Sequence, residues 1–384
     1  MGIKKDQIKI VLLNRNYPPQ NGVTGKSANE LFKFLNTSEL DLNVVHINGN
    51  NSGISDFEDE VFGKTHIINT FYSGKSKLLR LASSLYEGYM LARKATSIKP
   101  DLIISMTDPP LLNFWVSIFS KNKKIAWAYW TMDLYPEAFV SAGLMKNNGL
   151  IFKLIKKNLI KNPPKFIISL GQYQFEFLRN EYNYDIPAVI LPCGISQTEK
   201  SENINISKII ADKISFCYAG NLGEAHNPKF IKNIVDCLNP KKHVLFLSLY
   251  GSKSHEVYEY SKNKSGVHFL DNINSRNMHM IDIHLVTLLQ KWDHVCVPSK
   301  AISAVSQGSA ILFESSEAND NWQLLKDAGW RINFNDFKAV SKFMSNVTKD
   351  LILIKKKNAI RLSEKLKKIK QNSFDNILKN LINV

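Results

Sequence analysis

The sequence predicts an α/β protein of two parallel-sheet domains, and three observations carry that reading. Short runs of β-branched and aliphatic residues alternate with longer helix-period segments, the pattern of parallel sheets covered by helices on both faces. The alternation resets once, where LPCGI (191–195) gives way to a polar stretch, SQTEKSENINISKIIADK (196–213), read as a linker without a strand. The chain's 384 residues suffice for two domains, each with its own core.

In order, the expected strands of the first half are IKIVLLN (8–14), LNVVHI (42–47), DLIISM (101–106), KIAWAYW (124–130), KFIISL (165–170) and AVILP (188–192). The second half supplies ISFCYAG (214–220), HVLFLSLYG (243–251), VHFL (267–270), IHLVTL (283–288) and AILF (310–313). The division is placed at 1–198 and 199–360, followed by a basic terminal helix, 361–384, expected to return to the first domain. No short-period repeat or low-complexity tract interrupts the pattern.

Composition excludes several classes. Hydrophobic residues are 44%, charged 22% and aromatic 10%, as in a folded soluble protein and unlike disordered, collagen-like or coiled-coil chains. Fifty Lys+Arg against thirty-four Asp+Glu leave +16, so an anionic partner is expected. No RNP, zinc-finger or helix-turn-helix pattern accompanies that charge, and nucleic acid is not the partner expected. Cys193, Cys217, Cys237 and Cys296 have neither C-x-x-C nor metal-ligand spacing, which predicts no disulfide framework and no metal site. The N-terminal apolar run is too short for a signal peptide, and LLNFWVSIF (111–119) is far below the ~20 residues of a spanning helix. A cytoplasmic protein, peripheral on the inner face of the membrane, is expected.

Ligands of open α/β sheets lie beyond the carboxyl ends of the strands, so four strand-to-helix loops are the candidate sites. After the first strand, Pro18-Pro19 stop the chain and Gly22 and Gly25 flank Thr24, with Ser27 or Asn29 as candidate helix cap and an anion expected at the helix start. In the second half ISFCYA runs into Gly220-Asn221-Leu222-Gly223, with His226 before a helix capped by Asn227 and opened by Pro228. This is not G-x-G-x-x-G, which disfavours a nicotinamide cofactor, and no cofactor is expected. In the third loop Pro298-Ser299-Lys300 open a short helix that Gly308 ends, placing an ammonium at a second anion-binding helix start. In the fourth, Asp133 follows KIAWAYW as a candidate base or hydroxyl ligand, ahead of Pro136-Glu137.

Together these segments resemble the retaining glycosyltransferases of family 4, of the branch that builds bacterial O-antigens, capsules and related surface polysaccharides. YPPQNGVTG (17–25) resembles the branch's first glycine loop, MDLYPE (132–137) its DLWPE-like motif, YAGNLGEAHN (218–227) its YSGNLGxAH segment, and VPSKAISAVSQGSAILF (297–313) its VPSK segment. The four occur in the family's order and cover nearly the whole chain. The resemblance implies the GT-B fold: two Rossmann-like domains facing a central cleft, the first binding the acceptor and the second a nucleoside diphosphate sugar, UDP-linked by preference. It implies that Gly220, Asn221, Gly223, His226, Ser299 and Lys300 surround the donor diphosphate under the Gly22–Gly25 loop. Gly251 and Leu270 are placed near the base, and Ser303 and Glu317 on the ribose or sugar side. Lys300 and Asp133 take the catalytic roles, without a metal, because Lys, amides and a helix dipole neutralise the leaving diphosphate.

Three departures stand out. The family's glutamate pair falls on Val295 and Ser303, its histidine before the aspartate is Met132, and its Arg–Lys pair after the second-domain glycine is missing. They motivate one alternative, a non-catalytic donor-binding protein; the other is a nucleotide-sugar epimerase of the same fold.

One segment lies outside those motifs. KNNGLIFKLIKKNLIKNPPK (146–165) holds six lysines and no acid, and its Leu150, Ile151, Leu154, Ile155, Leu159 and Ile160 are expected to form one apolar stripe. The stripe packs on the sheet, rests on anionic lipid, or does both. A polyprenyl-diphosphate-linked acceptor accounts for the second arrangement.

Overall fold

The computed structural model describes residues 7–20, 22–37, 39–48, 60–72, 76–195, 199–271, 273 and 275–383. The chain divides into two compact units, Met1–Cys193 with Gln371–Val384, and Gly194–Lys370. The division thus falls at 193 and 370, against the expected 198 and 360. Its first step lies where the chain leaves the last strand of the first sheet and the Ser303 hydroxyl donates to the Gly194 carbonyl (3.0 Å).

The first unit has strands β1 (Ile8–Leu13), β2 (Leu40–Asn48), β3 (Lys64–Asn69), β4 (Leu102–Ser105), β5 (Ala126–Trp130), β6 (Ile167–Ser169) and β7 (Ala188–Ile190). They form a seven-stranded sheet in the order β3-β2-β1-β4-β5-β6-β7, with every described pairing parallel. Its helices are α1 (Val23–Leu35), α2 (Lys77–Ser97), α3 (Leu112–Lys123), α4 (Glu137–Ser141), α5 (Leu150–Lys161) and α6 (Gln172–Tyr182).

The second unit has β8 (Ile214–Asn221), β9 (His243–Tyr250), β10 (Val267–Phe269), β11 (Ile283–Thr287), β12 (Ala310–Glu314) and β13 (Gly329–Ile332), in the order β10-β9-β8-β11-β12-β13. Between them run α7 (Ile204–Ile210), α8 (Pro228–Asp236), α9 (Ser254–Ser261), α10 (Ser299–Ser306), α11 (Asp320–Leu325) and α12 (Phe337–Asn346), and α13 (Lys349–Ile382) closes the chain. The stretch expected to be a plain linker therefore contains α7, whose Asn203 side chain caps the backbone amides of Asn205 and Ile206.

Each sheet reverses its strand order once, between β1 and β4 and between β8 and β11. At such a point the two following loops diverge to opposite faces and leave a crevice beyond the carboxyl ends. The central strands are continuous apolar runs because both faces are covered: Val11, Leu12, Ile103, Ile104, Phe216 and Phe246 are fully buried. Each such side chain contributes roughly 1.5–3 kcal/mol. The helix α8 shows how the sequence sets a layer. Asn227 caps it, Pro228 opens it, and Phe230, Ile231, Ile234 and Val235 put one buried stripe on the sheet.

The helix α5 departs from its expected stripe. Phe152, Ile155 and Leu159 are its buried residues, whereas Leu150 (76% exposed), Ile151, Leu154 and Ile160 face outward among the lysines. An arc of residues at 100° steps cannot bury both sets, and the side with the aromatic ring is the one covered by the neighbouring α3 and α6. Among the described residues no helix is long and apolar enough to cross a membrane, and no cysteine is in a disulfide.

Candidate functional site

The strongest constellation lies at the switch point of the second sheet. There β8 ends in Gly220-Asn221 and the six residues before α8 turn back as a pinned loop. The Leu222 amide donates to the Tyr250 carbonyl (2.7 Å), the Lys253 amide to the Leu222 carbonyl (3.0 Å), and the Leu289 amide to the Ala225 carbonyl (2.9 Å). Gly251 makes the close approach possible. Its φ is +105°, and a Cβ there would overlap the Asn221 Oδ1 and sit 3.1 Å from the Leu222 backbone.

Lys300, in the first turn of α10, reaches across this loop, its Cε and Nζ lying over Gly220. Its ammonium donates to the Tyr218 hydroxyl (2.6 Å) and the Asn221 carbonyl (2.8 Å), lies 3.4 Å from His226 Nε2, and sits 4.3 Å from the centroid of the Tyr218 ring. The Tyr218 hydroxyl in turn donates to the Asn221 carbonyl (3.1 Å). Every one of these partners is neutral, and no carboxylate pairs with Lys300 among the described residues. Burial without a counter-charge pushes the ammonium down to about 7. An anion entering here would restore the charged form.

His226 is buried, and its Nδ1 lies 2.5 Å from the Thr287 carbonyl. A carbonyl only accepts, so Nδ1 carries the proton and Nε2 presents a lone pair toward Lys300. Burial first, and the neighbouring Lys300 second, push the imidazole down to about 3, so the ring is neutral at physiological pH.

The other expected residues fall into two groups. Gly223, Asn221 and Ser299 surround the same loop and helix start, with Ser299 opening α10. Ser303 is occupied by the Gly194 carbonyl. Glu317 is ion-paired to Arg331 (2.9 Å), which also donates to the Ser315 carbonyl and to Asn333. Leu270 packs against the cluster of Cys217, Val244 and Phe246 while its amide donates to Leu247. Asn319 caps α11, and the buried Asn321 donates to the Pro298 carbonyl (2.6 Å), fixing the turn from which Lys300 projects.

The first sheet's switch point differs. Gly22 is the residue before α1, and Thr24 and Gly25 are already in its first turn; a Cβ on Gly25 would lie 2.6 Å from the Asn16 carbonyl. The expected glycine loop is thus a helix start pressed against the chain leaving β1. Ser27 and Asn29 are not caps but lie inside α1. Asn29 instead accepts from the Tyr17 hydroxyl (3.0 Å) and from the Phe62 amide (2.9 Å). The Thr24 hydroxyl accepts from Asn14 (3.1 Å).

A cation of this end, Arg15, is not marked in the sequence. Arg15 contacts Glu87 (2.9 Å) and Asp108 (3.0 Å) and donates to Ser84 (2.8 Å). Its partners lie more than sixty residues away along the chain, so no local motif marks them. Asp133 is exposed three residues beyond β5. Its neighbour Glu137 is buried and accepts from the Tyr182 hydroxyl (2.6 Å). Among the described residues no group of three His, Cys, Asp or Glu side chains has the arrangement of a metal site.

Two parallel doubly wound sheets in one chain, the second carrying a Gly-containing strand-to-helix turn beside a lysine at a helix start, define the class by its architecture: the GT-B fold. Comparison with known proteins agrees on the fold. No family model matches the chain. It is similar to the probable glycosyltransferase WbjE of Pseudomonas aeruginosa, 19% identical over 295 residues that cover 72% of this chain and 74% of WbjE. Among solved structures, sucrose-phosphate synthase of Thermosynechococcus elongatus superposes with a TM-score of 0.70 at 12% identity, covering 98% of this chain and 100% of that one. HepE of Anabaena in complex with UDP-glucose gives 0.66 at 14% identity, over 97% and 99% of the chains. WaaG, a glycosyltransferase involved in lipopolysaccharide biosynthesis, gives 0.66 at 14% identity, over 96% and 99%.

Proposed function

We propose that the chain is a glycosyltransferase that takes its sugar from a nucleoside diphosphate sugar, UDP-linked by preference, and delivers it to a lipid-linked or other surface-glycan acceptor. The observation that carries this reading is Lys300, an ammonium held only by neutral groups at the switch point of the second sheet. HepE, which shares the fold, was solved with UDP-glucose, and that supports a UDP-sugar on the second unit here.

In the proposed reaction the bond from the anomeric carbon to the diphosphate oxygen breaks and an acceptor hydroxyl takes its place, with configuration retained. Negative charge grows on the leaving diphosphate, and Lys300 with the amides at the start of α10 neutralises it. His226 keeps Lys300 directed through its Nε2 lone pair. The first unit is assigned the acceptor, with Asp133 as ligand or base for the attacking hydroxyl.

The outward Leu150, Ile151 and Leu154 of α5, set among Lys153, Lys157 and Lys161, together with the exposed Leu144, support docking on anionic lipid at the inner face of the membrane. A screen of UDP- and GDP-sugars by thermal shift, followed by transfer assays, tests the reading. A UDP-sugar is expected to raise the melting temperature and to be consumed. No stabilisation by any nucleotide would reject it, and stabilisation without turnover would favour a donor-binding protein.

A further inference from the structure

Glu314 ends β12 and is 1% exposed, and neither the motif reading nor the reaction above uses it. The Thr287 hydroxyl donates to its Oε2 (2.8 Å), the Asn227 side-chain amide donates to both oxygens (3.1 and 2.9 Å), and the Asn335 backbone amide donates to Oε1 (3.1 Å). All these partners are donors. The amides of Asn227 and Asn335 can only donate, and with the Thr287 hydroxyl donating as well the arrangement fits the carboxylate. Burial raises Glu314, and the hydrogen bonds from Thr287, Asn227 and Asn335 oppose it.

Two of the three partners also hold His226. Thr287 accepts the Nδ1 proton on its carbonyl, and Asn227, the next residue along the chain, caps α8 through its side-chain oxygen while Glu314 holds the other end of the same amide. The path runs from Glu314 through Thr287 to the imidazole and from Nε2 to the Lys300 ammonium.

We propose that Glu314 is a positioning residue: by clamping Thr287 and Asn227 it fixes the tautomer and aim of His226, and through it the place of the Lys300 ammonium. The proposal rests on the reading of Lys300 as the diphosphate ligand. The charged or titratable groups facing this path are Tyr218, Cys296 and Lys253 near Lys300 and His226, and Lys229 near Glu314.

The test compares Glu314→Gln, Thr287→Val and Thr287→Ser in the full chain. Thr287→Ser keeps the hydroxyl, and Thr287→Val removes it while leaving the carbonyl that holds His226. Nitrogen-15 NMR of the histidine rings reads the tautomer without any nucleotide, and titration with UDP reads the ammonium. In the wild type and in Thr287→Ser, His226 should show the Nδ1–H signature and the same UDP affinity within about twofold. Thr287→Val and Glu314→Gln should mix the tautomers and weaken UDP by about tenfold, as expected for one lost buried hydrogen bond. If Glu314→Gln does not fold, Thr287→Val decides. A folded Thr287→Val with wild-type tautomer and wild-type UDP affinity would overturn the proposal. Failure of the wild type to bind UDP would instead strike the functional reading, and the tautomer comparison would still judge the relay.

Discussion

A cation at each of the two switch points of this molecule is treated in the opposite way. Arg15, beyond β1, is held by Glu87 and Asp108, so its charge is spent inside the fold. Lys300, beside β8 and β11, meets only a phenol, a carbonyl and a neutral imidazole. A compensated guanidinium holds loops together. An uncompensated, half-buried ammonium costs stability and is retained where an anion will come. On the proposed reading the same fold element serves as a brace in one unit and as a receptor in the other. That division fits an acceptor rich in neutral hydroxyls on the first unit and a diphosphate on the second.

The comparison breaks most sharply at the two cations themselves. Lys300→Ala should remove turnover with a UDP-sugar, at least about 100-fold in kcat/KM, from the loss of charge-assisted contacts to the leaving group, while the melting temperature stays near that of the wild type. Arg15→Ala should do the reverse. It strands the buried Glu87 and should lower stability by about 3 kcal/mol in denaturant unfolding, with UDP affinity unchanged. If both variants lost nucleotide binding equally, the contrast would fail.

A smaller effect is expected from Gly251→Ala, whose Cβ would collide with Asn221 and strain a positive φ. It should cost about 2 kcal/mol of stability and loosen the loop that carries Lys300, measurable as a weaker UDP-induced thermal shift. The acidity of Lys300 then sharpens the picture. Its folded value lies near 7, below the ordinary 10.5, so above pH 7 the free protein holds fewer protons than the unfolded chain. Stability without nucleotide should therefore rise as pH climbs from about 7 toward 10. UDP favours the charged ammonium, so binding should take up a proton and weaken about tenfold between pH 7 and 8.5, as read by calorimetry in buffers of different ionisation enthalpy. The smallest effect belongs to the first unit's surface. Leu154→Glu should reduce binding to anionic vesicles about fivefold, with stability changed by less than about 0.5 kcal/mol.

What the sequence revealed and what it hid follow one physical line. Strands buried on both faces were visible as apolar runs. β3 and β13, at the edges of their sheets, were not: β3 is half-exposed with Lys64, Thr65 and Asn69 along it, and β13 has only four residues opening on Gly329. Asn227-Pro228 announced α8 because cap and first-turn proline are local chemistry. The start of α1 was misplaced because Gly22 offers no capping side chain, whereas Ser27 and Asn29 resemble caps. On α5 the periodicity showed aliphatic residues but not which of two arcs is buried.

At the site, Gly220, Asn221, His226 and Lys300 were legible from spacing and from the likeness of two motifs. The structure brings Gly220, Asn221 and His226 against Lys300. Glu314 and the Arg15 cluster were illegible. Their meaning depends on partners that only the sheet brings near: Asn227 and Glu314 are eighty-seven residues apart, and Arg15 and Asp108 ninety-three. Ser303 and Glu317 were placed on the ligand by likeness alone, and the Gly194 carbonyl and Arg331 occupy them here.

The central claim is that Lys300 is a cation kept for a diphosphate. Calorimetric titration of UDP and of uridine into the wild type and Lys300→Ala at pH 7 tests it most directly. The account predicts saturable UDP binding, negligible uridine binding, and a variant that treats UDP no better than uridine. A folded Lys300→Ala that binds UDP as tightly as the wild type would contradict it.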